Sequence, residues 1–154
     1  MRVLFVCLGN ICRSPTAEGV LRHQLAEAGL AEVIHVASAG TGDWHVGNPP
    51  DSRTRRAAQL RGYDLSAQRA QQVSVEDFTR YDLILAMDKS NLANLQAMRP
   101  GHASAELDLF LRRYEGALEE VPDPYYGGEQ GFEHVLDLIE AACRGLVSEL
   151  KGRL

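Results

Sequence analysis

Residues 2–6 (RVLFV) form a short, β-branched apolar run that stops at Gly9-Asn10, the pattern of a fully buried strand closed by a turn. Runs of the same kind recur at 33–37 (VIHVA), 82–87 (DLILAM) and 106–111 (ELDLFL). Between them the apolar spacing changes to that of helices. Ala17, Val20, Leu21, Leu25 and Ala28 predict a helix over 15–29, with Pro15 in the first turn, where its missing N–H is no loss, and Gly29 at the end. The loop Ser38-Ala39-Gly40-Thr41-Gly42 follows the second run, and Asp51, after Pro49-Pro50, opens a helix to about Arg61, closed by Gly62. Ser74-Val75-Glu76-Asp77 resembles a capping box with Asp for the usual Glu, and marks a short helix. Asp88 starts a helix to about Met98, and Phe132 to about Leu150 reads as a long amphipathic helix.

Strand and helix therefore alternate, and the early strands are apolar without two-residue alternation. Such strands are buried on both faces, which predicts a parallel sheet covered by helices. Right-handed crossovers make it an open, doubly wound α/β fold: four parallel strands with helices on both faces. Ligands in such folds bind beyond the carboxyl ends of the strands, near a switch in strand order. Cys7 stands at one such end.

Composition narrows the class. The 154 residues predict a single domain over 1–154, and 45% hydrophobic with 24% charged residues is ordinary for a soluble globular chain. No stretch approaches the roughly 20 apolar residues of a membrane helix. The first apolar run is too short for a signal-peptide core, so a cytoplasmic monomer with no membrane partner is expected. A net charge of −5 argues against nucleic acid as partner. Cys7, Cys12 and Cys143 lack a second cluster at zinc spacing. His23, His35, His45, His102 and His134 show no metal pattern either and read as structural or exposed. Neither a metal nor a cofactor is called for.

The segment from Cys7 to Pro15 (CLGNICRSP) carries the chemistry. It joins a buried strand to a helix N-terminus, where successive backbone N–H groups from Leu8 through Gly9, Asn10, Ile11 and Cys12 to Arg13 can surround an anion. Gly9 and Asn10 tolerate the positive φ that such a cradle needs. Arg13 offers a planar fork of donors suited to two oxygens of one phosphate. Cys7 places sulfur at the floor of that anion pocket, where the donors that hold phosphate also stabilise a thiolate, and Ser14 can donate one more hydrogen bond to it. A nucleotide-type phosphate loop is excluded, because Gly-x4-Gly-Lys-Ser/Thr is absent. Hydrolysis through Cys7 needs a proton for the leaving oxygen. Asp123 is the candidate, held on a loop by Pro122 and Pro124.

Val6 to Pro15, together with Asp123-Pro124-Tyr125-Tyr126, Ser38-Ala39-Gly40, Trp44, Gly47-Asn48-Pro49-Pro50 and Met87-Asp88-x-x-Asn91, resembles the low-molecular-weight protein tyrosine phosphatases across essentially the whole chain. The resemblance implies hydrolysis of phosphotyrosine or small aryl phosphates through a cysteinyl-phosphate on Cys7, with Asp123 as acid and then base. It implies that Trp44 and Tyr125 flank the substrate ring, with Tyr126 beside them. It also implies that Asn10 and Ser38 hold the loop through hydrogen bonds. Asp88 is expected to cap its helix, with a second role near Arg13. Two positions depart from the family pattern: Ala37 stands where relatives often carry aspartate, and Gln68 where many carry histidine. The support of Asn10 and Ser38 is therefore either shorter here or supplied by the Gln68 amide. Cys12, five residues from Cys7 in a loop that closes on itself, is a candidate disulfide partner for it.

Two other readings remain at this point. An arsenate reductase on the same fold needs a relay of two more cysteines near the third strand, where the chain reads Leu83-Ile84-Leu85-Ala86-Met87. A non-catalytic phosphotyrosine-binding module could keep Arg13 and the cradle, but has no use for Cys7 and Asp123 together.

Overall fold

The computed structural model describes residues 1–114, 118–125 and 127–154; Tyr126 lies outside them. Four strands, β1 (Arg2–Cys7), β2 (His35–Gly40), β3 (Leu83–Ala86) and β4 (Glu106–Leu109), form one parallel sheet in the order β2-β1-β3-β4. The helices are α1 (Arg13–Glu27), α2 (Ser52–Leu60), α3 (Asp77–Arg80), α4 (Lys89–Met98), α5 (Phe110–Tyr114) and α6 (Glu129–Arg153). Every β1 residue from Val3 to Cys7 is buried, because both faces of the strand are covered. Val3, Phe5, Leu83 and Leu85 pack with Leu21 and Leu25 of α1 and with Ile139, Cys143 and Leu146 of α6. Leu4, Val6, Ile84 and Ala86 pack on the other face with Phe78 of α3 and Leu95 of α4. The strand order reverses at β1, so the carboxyl ends of β1 and β3 frame the crevice expected to bind ligand.

The predicted elements are all present, with boundaries moved for identifiable reasons. The helix α1 starts at Arg13 rather than 15, because Cys12 is its N-cap and its carbonyl accepts from Thr16 N–H (3.2 Å) and Thr16 Oγ1 (2.7 Å). Gly29 stands just beyond its end with φ +75°, the left-handed stop that glycine permits. The strand β2 covers 35–40, not 33–37. Val33 and Ile34 donate back to Leu30 O in a turn, while Ser38, Ala39 and Gly40, expected in a loop, pair with Phe5, Val6 and Cys7. The run at 106–111 is strand only to Leu109. Phe110 turns at once into α5, where its ring meets Phe5 (5.0 Å between centroids) and Tyr114 (6.0 Å). Half of the expected capping box forms at 74–77: Ser74 N–H donates to Asp77 Oδ2 at 2.9 Å. The helix α6 begins at Glu129 after Gly128, three residues before the expected Phe132.

Candidate active site

β1 ends on Cys7 and α1 begins on Arg13, so the loop 8–12 must turn sharply against the end of the sheet. The segment just after β2 fastens it: Thr41 N–H donates to Cys7 O and Gly42 N–H to Leu8 O, both at 2.9 Å. Gly40 permits that approach. A Cβ there would stand 2.8 Å from Leu8 O, 3.1 Å from Gly9 C and 3.2 Å from Asn10 N. From the α2 side, Asp51 N–H donates to Ile11 O at 2.8 Å. Asn10 takes φ +57°, the only non-glycine residue with positive φ among the described residues.

The Cys7 sulfur lies at the bottom of this turn, 3% exposed, 3.0 Å from Ser14 Oγ and accepting from Asn10 N–H at 3.3 Å. Asn10 and Ser14 point away from solvent and hold the loop from behind. Asn10 Nδ2 donates to Ser14 Oγ (2.8 Å) and Ser38 Oγ (2.9 Å), and Asn10 Oδ1 accepts from Gln71 N–H (2.9 Å). The Gln68 amide does not serve this network. Its Nε2 donates to Pro15 O at 3.0 Å, and Gln71 supports Asn10 and, through Nε2, Ser38 O. The reason is register: Gly40 N–H donates to Gln71 O, which lays residue 71, not 68, beside the loop.

A cavity of about 300 Å³ opens over Cys7. Leu8, Gly9, Ile11, Cys12 and Arg13 line it from the loop, and Trp44, His45, Asp123 and Tyr125 from neighbouring segments. The N-terminus of α1 opens at its base, bringing the positive end of a helix dipole to the same place. The Arg13 guanidinium is 3% exposed and doubly oriented. Nη1 donates to Asp88 Oδ2 at 2.6 Å and to Val121 O at 3.0 Å. Burial opposes its charge, yet the Cys7 sulfur and the Asp88 carboxylate hold it protonated above its ordinary range. Asp88 does both things expected of it. Its Oδ1 caps α4 by accepting Asn91 N–H at 2.7 Å while Oδ2 meets Arg13.

Asp123 reaches the pocket because Val121 N–H donates to Met87 O at 2.8 Å, docking its loop on the end of β3. Its carboxylate is 39% exposed, 3.6 Å from Arg13 Nη2, and its Oδ1 accepts from Tyr125 N–H at 3.0 Å. Tyr125 is held by Arg53, whose guanidinium lies 5.4 Å over the tyrosine ring and 4.9 Å over Phe132, and which donates to Tyr125 O. Trp44, 69% exposed, lies across Gly42, where a Cβ would overlap its ring. Burial pushes the Cys12 thiol up to about 12. Burial likewise raises Cys143, which is enclosed on the inner face of α6.

The structure thus gathers the described residues singled out for the site, but divides them: Asn10, Ser14 and Ser38 are supports, Asp88 orients Arg13 without lining the cavity, and the others line it. Sequence reasoning missed His45, Glu18 and Gln71. His45 lines the cavity, 6.4 Å from the Tyr125 ring, and its neighbour Trp44 was the signal. Glu18 accepts from Ser38 Oγ at 2.7 Å, and its place one turn after Ser14 on α1 could have been read from helical spacing. Gln71 acts on Asn10 through its backbone N–H, which no side-chain pattern announces.

A buried cysteine at the foot of a strand–loop–helix turn, faced by an arginine and a part-exposed carboxyl, defines a cysteine-dependent phosphatase pocket on a doubly wound sheet. The model of the family described as low molecular weight phosphotyrosine protein phosphatase matches residues 2–153. A low molecular weight protein-tyrosine-phosphatase of Streptomyces coelicolor is 43% identical over 157 residues, covering 99% of this chain and 95% of the relative. The human low molecular weight phosphotyrosine protein phosphatase is 39% identical over 150 residues, covering 96% and 94%. A crystal structure of a protein tyrosine phosphatase from Entamoeba histolytica, with Hepes in its active site, superimposes with a TM-score of 0.94 at 40% identity, covering 100% of this chain and 99% of that one. The chain belongs to the low molecular weight phosphotyrosine protein phosphatase family.

Proposed function

We propose that this protein hydrolyses phosphotyrosine and aryl phosphate monoesters through a cysteinyl-phosphate on Cys7. The observation that carries this reading is one cavity lined together by Cys7, Arg13 and Asp123 and by the aromatic residues Trp44 and Tyr125. The Cys7 thiolate attacks phosphorus in line with the ester bond. Arg13 and the amides from Leu8 to Arg13 balance charge on the three equatorial oxygens. Asp123 delivers its proton to the departing phenolic oxygen as the P–O bond breaks. Asp123, now a carboxylate, then takes a proton from water, whose oxygen displaces the Cys7 sulfur and releases phosphate. The depth of Cys7 favours an aromatic ester, because a phosphoserine side chain is too short to reach the floor.

Phosphotyrosyl proteins or small aryl phosphates are the proposed partners of a cytoplasmic, monomeric, single-domain enzyme; no helix among the described residues is long and apolar enough to cross a membrane. The net charge of −5 speaks against a nucleic-acid partner. The arsenate-reductase reading is disfavoured by cysteine-free β3 and by the enclosure of Cys143. The test is phosphate release from p-nitrophenyl phosphate with a chelator present, inhibited by vanadate and abolished in Cys7→Ser. A binding module releases no phosphate under these conditions, and a metal-dependent hydrolase loses its activity to the chelator.

A further inference from the structure

Glu18 is a buried carboxyl, 6% exposed, that the phosphatase mechanism does not use. It sits on α1 one turn beyond Ser14 and is paired with Arg22 a turn further on. Burial raises it above the ordinary carboxylate range, against the opposing pull of Arg22 and Ser38. Its Oε1 accepts the Ser38 hydroxyl at 2.7 Å. Ser38 has a single hydrogen; with that directed to Glu18, it can only accept from Asn10 Nδ2 at 2.9 Å. The Asn10 amide cannot be reversed, because its oxygen faces Gln71 N–H, an unambiguous donor. Its second Nδ2 hydrogen meets Ser14 Oγ at 2.8 Å. That leaves the Ser14 hydrogen for the Cys7 sulfur at 3.0 Å, nearer than its other acceptor, Ala39 O at 3.4 Å.

We propose that Glu18 is a positioning residue for the nucleophile: as acceptor at the far end of this chain, it fixes which way Ser38, Asn10 and Ser14 donate, and so aims the Ser14 hydrogen at Cys7. The proposal rests on the phosphatase reading and deepens it. Without an acceptor at position 18, the Ser38 hydrogen has no partner in a buried site, so Ser38 turns to find one and releases Asn10. Asn10 is itself the loop's left-handed non-glycine residue, so its release is felt along the whole turn.

The test compares Glu18→Ala, which removes the acceptor, with Glu18→Gln, which keeps an acceptor oxygen and removes the charge. Two readouts are taken: p-nitrophenyl phosphate kinetics, and the pH profile of Cys7 alkylation by iodoacetate. Glu18→Ala is expected to lower kcat by about 10–100-fold with little change in KM, the scale of a small misplacement at a reacting centre. Its alkylation profile is expected to move to higher pH, because the thiolate has lost a donor. Loss of the Glu18 charge alone moves the profile the other way, so the direction separates the two causes. Arg13, Asp88, Asp123, Cys12 and His45, the charged and titratable groups around Cys7, are unchanged in both variants. Glu18→Gln is expected to remain within about threefold of wild type in both readouts, an acceptor oxygen being all the chain requires. Should Glu18→Ala not fold, Glu18→Met refills the volume without a suitable acceptor and is read identically. Wild-type kcat and alkylation profile in the acceptor-free variant overturns the proposal, and so does equal failure of Glu18→Gln, which assigns the effect to the Arg22 ion pair. Absence of turnover by wild type overturns the phosphatase reading instead, while the alkylation profiles still decide the role of Glu18.

Discussion

Gly40→Ala tests how the loop is held. The added methyl would stand 2.8 Å from Leu8 O, 3.1 Å from Gly9 C and 3.2 Å from Asn10 N, and all three are backbone atoms of the phosphate loop. Ordinary contact begins near 3.4 Å, so the loop or β2 must give by 0.2–0.6 Å at these points. Neither can do so by turning a side chain. Overpacking of this kind costs about 1–3 kcal/mol. For a chain of this length that is a fall in Tm of roughly 2–12 °C. The same displacement moves Cys7 and the amides relative to each other, with an expected loss of about 10–100-fold in kcat/KM for p-nitrophenyl phosphate. Gly101→Ala is the control, since nothing lies within 4 Å of its added carbon. It is expected to be neutral or more stable by about 0.4–1 kcal/mol, with unchanged kinetics. Thermal unfolding and steady-state kinetics on the two variants decide the matter. A Gly40→Ala protein with the Tm and kcat/KM of wild type refutes the claim that β2 and the loop are in fixed contact.

Asp123→Asn is expected to slow turnover by about 10²–10⁴-fold, most for poorly acidic phenols such as tyrosine and least for nitrophenols. A uniform loss across a leaving-group series shows that Asp123 is not the proton donor. Arg13→Lys is expected to be severely impaired, because a point charge cannot answer Asp88 and two phosphate oxygens in one plane; wild-type kcat/KM removes Arg13 as the clamp. Peroxide is expected to oxidise the Cys7 thiolate to a sulfenic acid, which the Cys12 thiol then converts to a disulfide with loss of water. Because burial keeps Cys12 protonated up to about pH 12, trapping should quicken as pH rises. Peptide mapping and dithiol recovery check this, and Cys12→Ser recovering as well as wild type sinks it.

What could be read from the sequence was what is contiguous in it. The segment from Cys7 to Pro15 compresses nucleophile, cradle, clamp and helix start into nine residues, and its strand and helix are both unmistakable by spacing. The cap at Asp88 is equally local, since Asn91 answers it three residues on. Its second bond, to Arg13, spans 75 residues, and no spacing rule reaches that far. Ser38-Ala39-Gly40 reads as loop because it lacks branched apolar residues. The structure makes it strand because the loop after β1 needs a small, flat neighbour, a tertiary requirement. Phe110-Leu111 reads as strand because a short apolar run has no distinguishable period, and only packing against Phe5 selects the helix. The Gln68 amide, one of the two supports expected, does not serve for a related reason: support of Asn10 comes from a backbone N–H, and the residue supplying it is chosen by register, not side-chain type.

Gly40 and Glu18 press on the same object from two directions, and their effects should therefore not add. The carbon missing at Gly40 faces the backbone N of Asn10 at 3.2 Å, while Glu18 reaches the side chain of Asn10 through Ser38, two residues before Gly40 on the same strand. If β2 were a passive wall and Glu18 only an anchor for α1, the losses in kcat/KM from Gly40→Ala and Glu18→Ala would be independent and sum in free energy. With Asn10 as their common point, a loop already displaced by the methyl has lost the Ser38–Asn10 alignment that Glu18 maintains. Removing Glu18 from that protein then costs less than removing it from wild type. The double variant is expected to fall short of the sum by about 0.5–2.7 kcal/mol, the range for residues that share a partner, capped at the roughly 100-fold loss expected of Glu18→Ala alone. The same cycle built with Gly101→Ala in place of Gly40→Ala should add. Additivity in both cycles separates the two features, and then the loop is not one mechanical unit but two supports acting independently on Cys7.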